Sequence, residues 1–338
     1  MAKDQFWILA LSGGGARGLF TAKILEQIEA EIGCPIAQKF DLIAGTSIGG
    51  ILALGLANEI PATKLVALFD QVSDIFKPRN CFLPNWGLFK PIYRNRCLKQ
   101  LLEQTFGNAI IGDLKHRIVI PSINYTKGEP GFFKTPHDVG LYRDWSRQLV
   151  DVGMATAAAP VFFPIYSFDS MHFVDGGLVA NAPGLIAVHE AMRFAGHPDV
   201  ETIHVVAIGT AARGTAMNAG VSDDMGVLSV TKRGFPWVTA GWRRRLFELT
   251  INAQEAMSNS MLKHWIGDRY HLIDSVPRPE QTNYLALDDV SAEARETLLG
   301  QANVAGQTLL TTSFLNQLRE HEPGPVRFFH GPNKNVSE

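Results

Sequence analysis

Short apolar runs alternate with segments of helical periodicity along the first two thirds of the chain. Phe6–Leu11 is an apolar run that ends in a glycine-rich loop, and residues 19–32 follow with apolar side chains at helical spacing. Residues 40–44 and Ile48–Ala57 repeat this order as a second strand and a second, strongly apolar helix. The same patterns predict further strands at 117–124, 131–134, 171–174 and 203–208, and further helices at 61–75 and 185–194. This alternation indicates an α/β fold with a largely parallel sheet that helices cover on both faces.

The pattern changes beyond residue 211. Residues 246–265 predict one long helix, and residues 292–318 predict one or two more. Because no linker composition marks a boundary, we expect residues 212–322 to be a mainly helical C-terminal part of the same domain as residues 6–211. Residues 323–338 contain three prolines and are expected to form a loose tail.

Composition narrows the class of protein. With 46% hydrophobic and 19% charged residues, the 338-residue chain is expected to fold around a sizeable core. The net charge of −2 shows no basic excess, so composition gives no support for a nucleic-acid partner. The chain has three cysteines, and no two of them form a Cys-x-x-Cys pair: Cys34, Cys81 and Cys97. This spacing argues against a disulfide framework or a zinc site, and it fits a reducing cytosol. We expect no signal segment, and we expect the uncharged runs at 42–58 and 152–168 to be buried core.

A Gly-x-Ser-x-Gly motif lies between the second predicted strand and the second predicted helix. Its residues Gly45, Ser47 and Gly49 match a nucleophile elbow, a tight turn that exposes the serine hydroxyl and needs small flanking residues to close. The motif alone occurs often by chance, so its weight depends on partner residues elsewhere in the chain. It makes the Ser47 hydroxyl a candidate nucleophile.

The glycine-rich loop at 13–18, Gly-Gly-Gly-Ala-Arg-Gly, has more than one interpretation. As a dinucleotide fingerprint it needs an acidic residue near the end of the second strand, whereas the nearby acid, Asp41, lies at its start. As an oxyanion hole, it offers consecutive amides at a helix N-terminus. Because both loops follow strands of one parallel sheet, the amides of Gly14 and Gly15 are expected to face Ser47. A nucleotide-binding module that uses this loop, with Ser47 structural, stays open as an alternative.

A serine nucleophile also needs a base. In an ordinary α/β-hydrolase, Asp or Glu and then His would follow the serine along the chain. The candidate histidines are scattered, and none lies in a glycine-flanked loop after a strand: His189, His197, His204, His264 and His271. Asp175 does lie in such a loop, because Asp-Gly-Gly at 175–177 follows the predicted strand at 171–174. Asp175 is therefore the candidate partner of Ser47.

Together these motifs resemble the patatin-like phospholipase family. The resemblance rests on Gly-Gly-Gly-x-Arg-Gly at 13–18, Gly-x-Ser-x-Gly at 45–49 and Asp-Gly-Gly at 175–177, and it covers residues 6–211. It implies a three-layer α/β/α fold with a helical C-terminal extension, and a Ser–Asp dyad of Ser47 and Asp175 without histidine. It implies no metal and no organic cofactor. The residues that the resemblance assigns to the oxyanion loop are Gly13, Gly14, Gly15 and Arg17, although Arg17 is as readily interpreted as the ion-pair partner of a core carboxylate.

The activity that the resemblance implies is lipid acyl hydrolysis of the phospholipase A type, on membrane glycerophospholipids and through an acyl-serine intermediate. The opening of the chain and its length also look like bacterial patatin-like effectors of anti-phage signalling, which a cyclic dinucleotide switches on. That likeness implies a cytoplasmic protein with peripheral contact with the inner membrane, and it leaves a homo-oligomer open. An ungated general esterase or lipase of the same fold is the alternative.

Two segments rich in aromatic and basic residues are candidates for contacts outside the dyad. Residues 76–97 are interpreted either as a lid or lipid-facing surface, or as a loop packed against the core. A catalytically idle protein that docks on membranes through this segment is a further alternative. Residues 232–245 are a candidate contact for anionic lipid or for the phosphates of a cyclic dinucleotide, or else a solvated helix start.

Overall fold

The computed structural model describes residues 5–78, 91–193, 198–212, 238–310 and 313–335. Within these ranges one mixed sheet forms the centre of the molecule, in the strand order β5-β6-β3-β2-β1-β7-β8, with β4 paired to β3. The strands are β1 Phe6–Leu11, β2 Leu42–Gly45, β3 Ile118–Asn124, β4 Glu129–Lys134, β5 Tyr166–Phe168, β6 Met171–Asp175, β7 Ile203–Ile208 and β8 Tyr270–Ile273. The strands β3, β2, β1, β7 and β8 lie side by side in this order and run parallel to one another. The strands β4 and β6 pair antiparallel with β3, and β5 pairs antiparallel with β6. The predicted α/β fold with a largely parallel sheet is confirmed.

Helices fill the connections and the C-terminal region. Their bounds are α1 Gly18–Ile32, α2 Ile48–Ala57, α3 Ala62–Ala67, α4 Val72–Ile75, α5 Arg96–Phe106, α6 Leu149–Thr156, α7 Gly177–Ala180, α8 Gly184–Ala191, α9 Val238–Ile266, α10 Ala292–Leu310 and α11 Ser313–Glu320. The prediction of a single helix at 61–75 is wrong in detail, because a short 3₁₀ helix at Leu68–Asp70 separates α3 from α4. Within the described ranges, no helix combines the length and apolar character that crossing a bilayer requires.

The alternation of side chains along β1 separates two layers of core. Trp7, Leu9 and Leu11 belong to the large cluster that packs against α1 and α2, whereas Ile8 and Ala10 belong to a second cluster. That second cluster includes residues of α8 and α9 on the other face of the sheet. Because both faces are covered, the central strands are apolar throughout instead of alternating between apolar and polar residues.

The segment after residue 322, expected to be loose, lies against the domain as far as residue 335. The Asp41 carboxylate accepts hydrogen bonds from the backbone amides of Trp7 (2.8 Å) and Gly324 (3.1 Å), and it contacts the His321 ring at 2.8 Å. Further along, Phe328 is buried. Asp41 therefore anchors the C-terminal segment to the sheet, a role that differs from the ribose contact of a dinucleotide-binding fold.

A stack of aromatic rings crosses the sheet on the same side as this anchor. Trp7 of β1 pairs in register with His204 of β7, and their ring centroids are 4.5 Å apart. His271 of β8 continues the stack towards Phe314 of α11, at 4.6 Å between centroids. Burial, followed by the charges of His271, Arg269 and His321, lowers the pKa of His204 to about 4. Burial, followed by the charge of Lys263, also lowers the pKa of His271, although Asp268 opposes this.

The low pKa of His204 predicts that this residue lowers the stability of the protein in mild acid. Between the unfolded pKa of about 6.5 and the folded pKa of about 4, the unfolded chain binds a proton at His204 that the folded chain excludes. The contribution of His204 to the free energy of unfolding should therefore fall as pH falls through this window. Urea unfolding at several pH values should show that the free energy of unfolding of the wild type declines relative to that of His204→Phe, which keeps a stacking ring, as pH falls. The same change at the exposed His189 should keep the wild-type dependence, and equal slopes for all three proteins would contradict this account.

Candidate active site

Ser47 lies in the turn between β2 and α2 and has an unusual backbone. Its φ of 56° and ψ of −123° fall where side-chain-bearing residues rarely occur. The glycines on either side allow the turn to close, since a Cβ on Gly45 would lie 2.1 Å from the Gly49 carbonyl oxygen. A Cβ on Gly49 would lie 2.4 Å from the carbonyl oxygen of Leu11 in β1. This geometry is that of a nucleophile elbow.

A threonine that the motif does not include holds the elbow in place. The Thr156 hydroxyl, at the end of α6, accepts the Ser47 amide hydrogen bond at 2.9 Å and donates to the Pro121 carbonyl at 2.6 Å. The neighbouring Thr46 hydroxyl donates to the Ala180 carbonyl at 2.6 Å. These bonds tie the strained turn to β3 and α7. No sequence signal marks Thr156, because its role depends on where α6 ends in space.

The structure brings Ser47 and Asp175 into contact. The Ser47 Oγ donates a hydrogen bond to Asp175 Oδ2 at 2.7 Å, and the Gly177 amide donates to Oδ1 at 2.6 Å. Asp175 is only 2% exposed. The carboxylate is therefore shielded from bulk water while Ser47 is partly exposed, and the second glycine of the Asp-Gly-Gly motif supplies a bond that fixes the carboxylate.

The register of the strands explains how β6, which is antiparallel to β3, places the Asp175 carboxylate beside Ser47. Ala44 of β2 pairs with Val119 of β3, and Asp175 pairs with Ser122, three residues further along β3. Ser47 also lies three residues after Ala44. Because β3 extends beyond the end of β2, β6 can enter from the opposite direction and end level with the elbow.

Burial changes the acidity of Asp175. It raises the pKa of this carboxyl to about 7, against the opposing effect of the hydrogen bonds from Gly177 and Ser47. A carboxylate with an ordinary pKa of about 4 is a weak base at neutral pH. One whose pKa lies near 7 is better matched to accepting a proton from a serine hydroxyl under the same conditions.

The glycine loop lies beside this pair and contributes two unpaired amides. The Gly13 amide donates to the Asn181 carbonyl at 3.0 Å, so it is already engaged. The amides of Gly14 and Gly15 donate to no acceptor in the part of the chain that the structure describes, and both residues line the same cavity as Ser47 and Asp175. Gly15 has a φ of 57°, which favours glycine. The two amides that the sequence predicts to face Ser47, those of Gly14 and Gly15, are thus unpaired at the cavity wall within the described residues.

Arg17 does not line this cavity, and its Nε and Nη2 have no hydrogen-bond partner in the part of the chain that the structure describes. Its side chain is buried, and its Nη1 is 3.4 Å from the Leu285 carbonyl oxygen, which accepts the hydrogen bond. Burial lowers the pKa of Arg17, and the charges of Glu255, Glu248 and Asp274 act in the opposite direction. Arg17 contributes a buried charge behind the loop rather than a group at the dyad.

The wall of the cavity beyond the dyad is apolar. The cavity has an empty volume of about 690 Å³, which includes space open to the solvent. Its apolar lining consists of Ile48, Ile51, Phe69, Val72, Ile75, Phe76, Leu98, Ala157, Ala159, Phe162, Phe163, Phe247, Ile251 and Leu287. Such a surface favours a hydrocarbon chain over a charged or strongly hydrated group.

No histidine lines this cavity within the described ranges. A hydroxyl–histidine–carboxylate arrangement does occur elsewhere, where the His137 ring lies 2.9 Å from the Thr135 hydroxyl and 3.1 Å from the Glu190 carboxylate. All three side chains are buried and Lys134 also contacts Glu190 at 2.6 Å, so this is a structural network. The dyad therefore has no imidazole partner there.

The two aromatic and basic segments lie only partly within the described residues. Of residues 76–97, positions 79–90 lie outside them, while Tyr93 at the end of the segment is buried against Phe76 and Phe163. Of residues 232–245, positions 232–237 lie outside them, but Arg244 contacts Asp288 and Glu248 and lies over a cavity phenylalanine. The ends that are described pack against the cavity wall.

The elbow, the glycine loop and the Asp-Gly-Gly turn surround one apolar cavity on an α/β fold. The chain belongs to the patatin-like phospholipase family, whose model matches residues 9–188. Among curated proteins it is similar to a cGAMP-activated phospholipase of Pseudomonas aeruginosa, with 44% identity over 98% of this chain and 97% of the relative. Proteins of the same name from Escherichia coli (34% identity, 88% and 87% coverage) and Vibrio cholerae (33%, 92% and 92%) are also similar.

The close contacts of the elbow predict unequal effects of two glycine-to-alanine changes. Gly49→Ala places a methyl group against the backbone oxygens of Leu11 and Ser12, at 2.4 and 2.6 Å, neither of which can rotate away. We expect it to cost at least about 1–3 kcal/mol of stability. Gly300→Ala in α10 meets open space and should be neutral or stabilise by up to about 1 kcal/mol. Thermal unfolding measures both, and equal melting temperatures would contradict the elbow geometry.

Proposed function

We propose that this protein is a lipid acyl hydrolase that cleaves fatty-acyl esters of membrane glycerophospholipids through Ser47 and Asp175. The observation that carries the proposal is the 2.7 Å hydrogen bond from the Ser47 hydroxyl to the buried Asp175 carboxylate, at the wall of an apolar cavity. Membership of the patatin-like phospholipase family supports a hydrolase that acts on lipids. No metal or organic cofactor takes part in the proposed reaction.

The reaction proceeds by acyl transfer in two stages. The Ser47 Oγ attacks the ester carbonyl carbon while its proton passes to Asp175 Oδ2 along the existing hydrogen bond. The tetrahedral intermediate collapses, the bond to the glycerol oxygen breaks, and Asp175 returns the proton to that oxygen. Water then attacks the acyl-serine with Asp175 again as base, which releases the fatty acid and restores Ser47.

The negative charge that develops on the carbonyl oxygen needs hydrogen-bond donors. The amides of Gly14 and Gly15 support this role because they line the cavity beside Ser47 and are not engaged elsewhere in the described residues. Each such donor typically contributes about 10²–10³ in rate. The amides at the start of α2, which begins immediately after Ser47, favour negative charge on the serine oxygen as well.

The substrate class follows from the apolar cavity and from the relatives. A fatty-acyl chain could occupy the cavity with its ester carbonyl at Ser47, while the head group stays outside. The fatty-acyl chains of membrane phospholipids lie within a bilayer. We therefore propose that this protein is cytoplasmic and makes peripheral contact with the inner membrane. Cleavage of either ester bond of the glycerol would make the enzyme a phospholipase of the A type.

We further propose that a cyclic dinucleotide activates the enzyme in bacterial anti-phage defence. The support is the similarity over nearly the full chain to three proteins named cGAMP-activated phospholipases. An ungated esterase of the same fold would explain the dyad and the cavity, but it would not account for likeness to these proteins outside the catalytic core.

The dyad predicts a specific pH profile and a specific mutational effect. Because Asp175 must be ionised to accept a proton and its pKa is about 7, kcat/KM on a soluble ester should rise with pH to a plateau above this value. Asp175→Asn keeps the size of the side chain and should lower kcat/KM at least about 10²-fold, with a melting temperature near wild type. Asp151→Asn is the matched control, since Asp151 bonds Tyr166 away from the cavity. Turnover retained in Asp175→Asn would mean that another group is the base.

Activation predicts ligand-dependent hydrolysis of membrane lipid. Phospholipid vesicles incubated with the protein should release fatty acid when cGAMP, from a panel of cyclic dinucleotides, is added. Ser47→Ala should release none under any condition. Full activity without a cyclic dinucleotide would contradict the gating, whereas equal behaviour of wild type and Ser47→Ala would indicate the idle membrane-docking protein instead.

A further inference from the structure

Within the glycine loop, two carbonyl oxygens determine where the unpaired amides point. The carbonyl of Gly13 and the amide of Gly14 belong to one planar peptide group, and in a trans peptide the two point in opposite directions. A partner that fixes the Gly13 carbonyl therefore also fixes the Gly14 N–H. The next peptide is held in the same way, because the Gly14 carbonyl accepts the Arg17 amide at 3.2 Å.

Asn181, immediately after α7, holds Gly13 from both sides. Its backbone carbonyl accepts the Gly13 amide at 3.0 Å, and its side-chain Nδ2 donates to the Gly13 carbonyl at 3.2 Å. The side chain is buried and lines the same cavity as Ser47. The orientation of its amide group decides the contact, since only the NH₂ side can donate to a carbonyl.

Glu255 of α9 sets that orientation. Asn181 Nδ2 donates a second hydrogen bond to the Glu255 Oε2, at 2.8 Å. An ionised carboxylate only accepts, so it selects the rotamer of Asn181 that presents the NH₂ group to both neighbours. Burial raises the pKa of Glu255, while the charge of Arg17 and hydrogen bonds from Asn181 and Ser12 favour its ionised form.

We propose that Asn181 and Glu255 are positioning residues that aim the Gly14 amide at the developing oxyanion. Neither residue takes or gives a proton in the reaction; Glu255 acts on Asn181, and Asn181 acts on the Gly13–Gly14 peptide. The inference rests on the proposed function, because it explains how the Gly14 amide is oriented as an oxyanion donor in that reaction. It also makes α9 part of the catalytic apparatus, although its residues lie more than two hundred positions after the glycine loop in the chain.

The test is a set of variants assayed on a soluble short-chain ester with cGAMP present. Glu255→Leu should lower kcat about 10- to 100-fold, less than the loss of a whole donor, with KM within about two-fold of wild type. Glu255→Gln still offers Oε1 as an acceptor and should restore most of kcat. Asn181→Leu should lose at least as much as Glu255→Leu. Because Glu255 acts through Asn181, the double variant should be no slower than Asn181→Leu alone.

Ser258→Ala is the matched control. Ser258 lies on the same helix and donates to the Ala182 carbonyl at 3.0 Å, so it ties the same two segments together without touching Gly13. Its loss should lower the melting temperature and leave kcat unchanged. If Glu255→Leu does not fold, Asn181→Ala decides, since its methyl side chain has no hydrogen to donate to the Gly13 carbonyl and kcat should fall.

The outcomes separate this inference from the proposed function. Wild-type kcat in Glu255→Leu or Asn181→Ala, alongside an inactive Ser47→Ala, would overturn the positioning role and leave the dyad intact. Losses that multiply in the double variant would overturn it too, because they would mean that Glu255 acts by a separate route such as its charge on Arg17. An active Ser47→Ala would overturn the proposed function itself.

Discussion

The hydrogen bond between Ser47 and Asp175 is the contact around which the rest of the site is arranged. It joins a hydroxyl on a strained turn to a carboxylate that is almost fully buried. Burial makes the carboxylate more basic, and the same burial would make an unpaired charge costly. The Gly177 amide and the Ser47 hydroxyl together offset that cost, and the pKa of this carboxyl lies at about 7.

The surrounding fold supplies rigidity from several elements at once. Thr156 ties the elbow to β3, close glycine packing at 45 and 49 fixes the turn, and the overlap of β3 beyond β2 aligns Asp175 with Ser47. Strained backbone persists only where neighbouring structure holds it in place. The glycine loop is held in a comparable way, by Asn181 on one side and by the Leu287 carbonyl, which accepts the Ala16 amide at 2.7 Å, on the other.

Local pattern was enough to predict much of this structure. The strand–loop–helix order of β1 to α2, and the placement of three glycine motifs at strand ends, follow from short stretches of sequence, and the fold they indicate is confirmed. What local pattern could not reveal depends on distant pairing. The antiparallel direction of β6, the role of Thr156 and the link from Glu255 to Asn181 all arise from contacts between segments far apart in the chain. The inward orientation of Arg17 belongs to the same class, since its partners come from the C-terminal region.

The central claim is that Ser47 is a nucleophile activated by Asp175. It is tested most directly with a fluorophosphonate, whose phosphorus a reactive serine oxygen attacks as fluoride leaves. After incubation with cGAMP, peptide mass spectrometry should find the adduct on Ser47, and Asp175→Asn should label far more slowly. No adduct on wild-type protein under these conditions, or an adduct confined to another serine, would contradict the account.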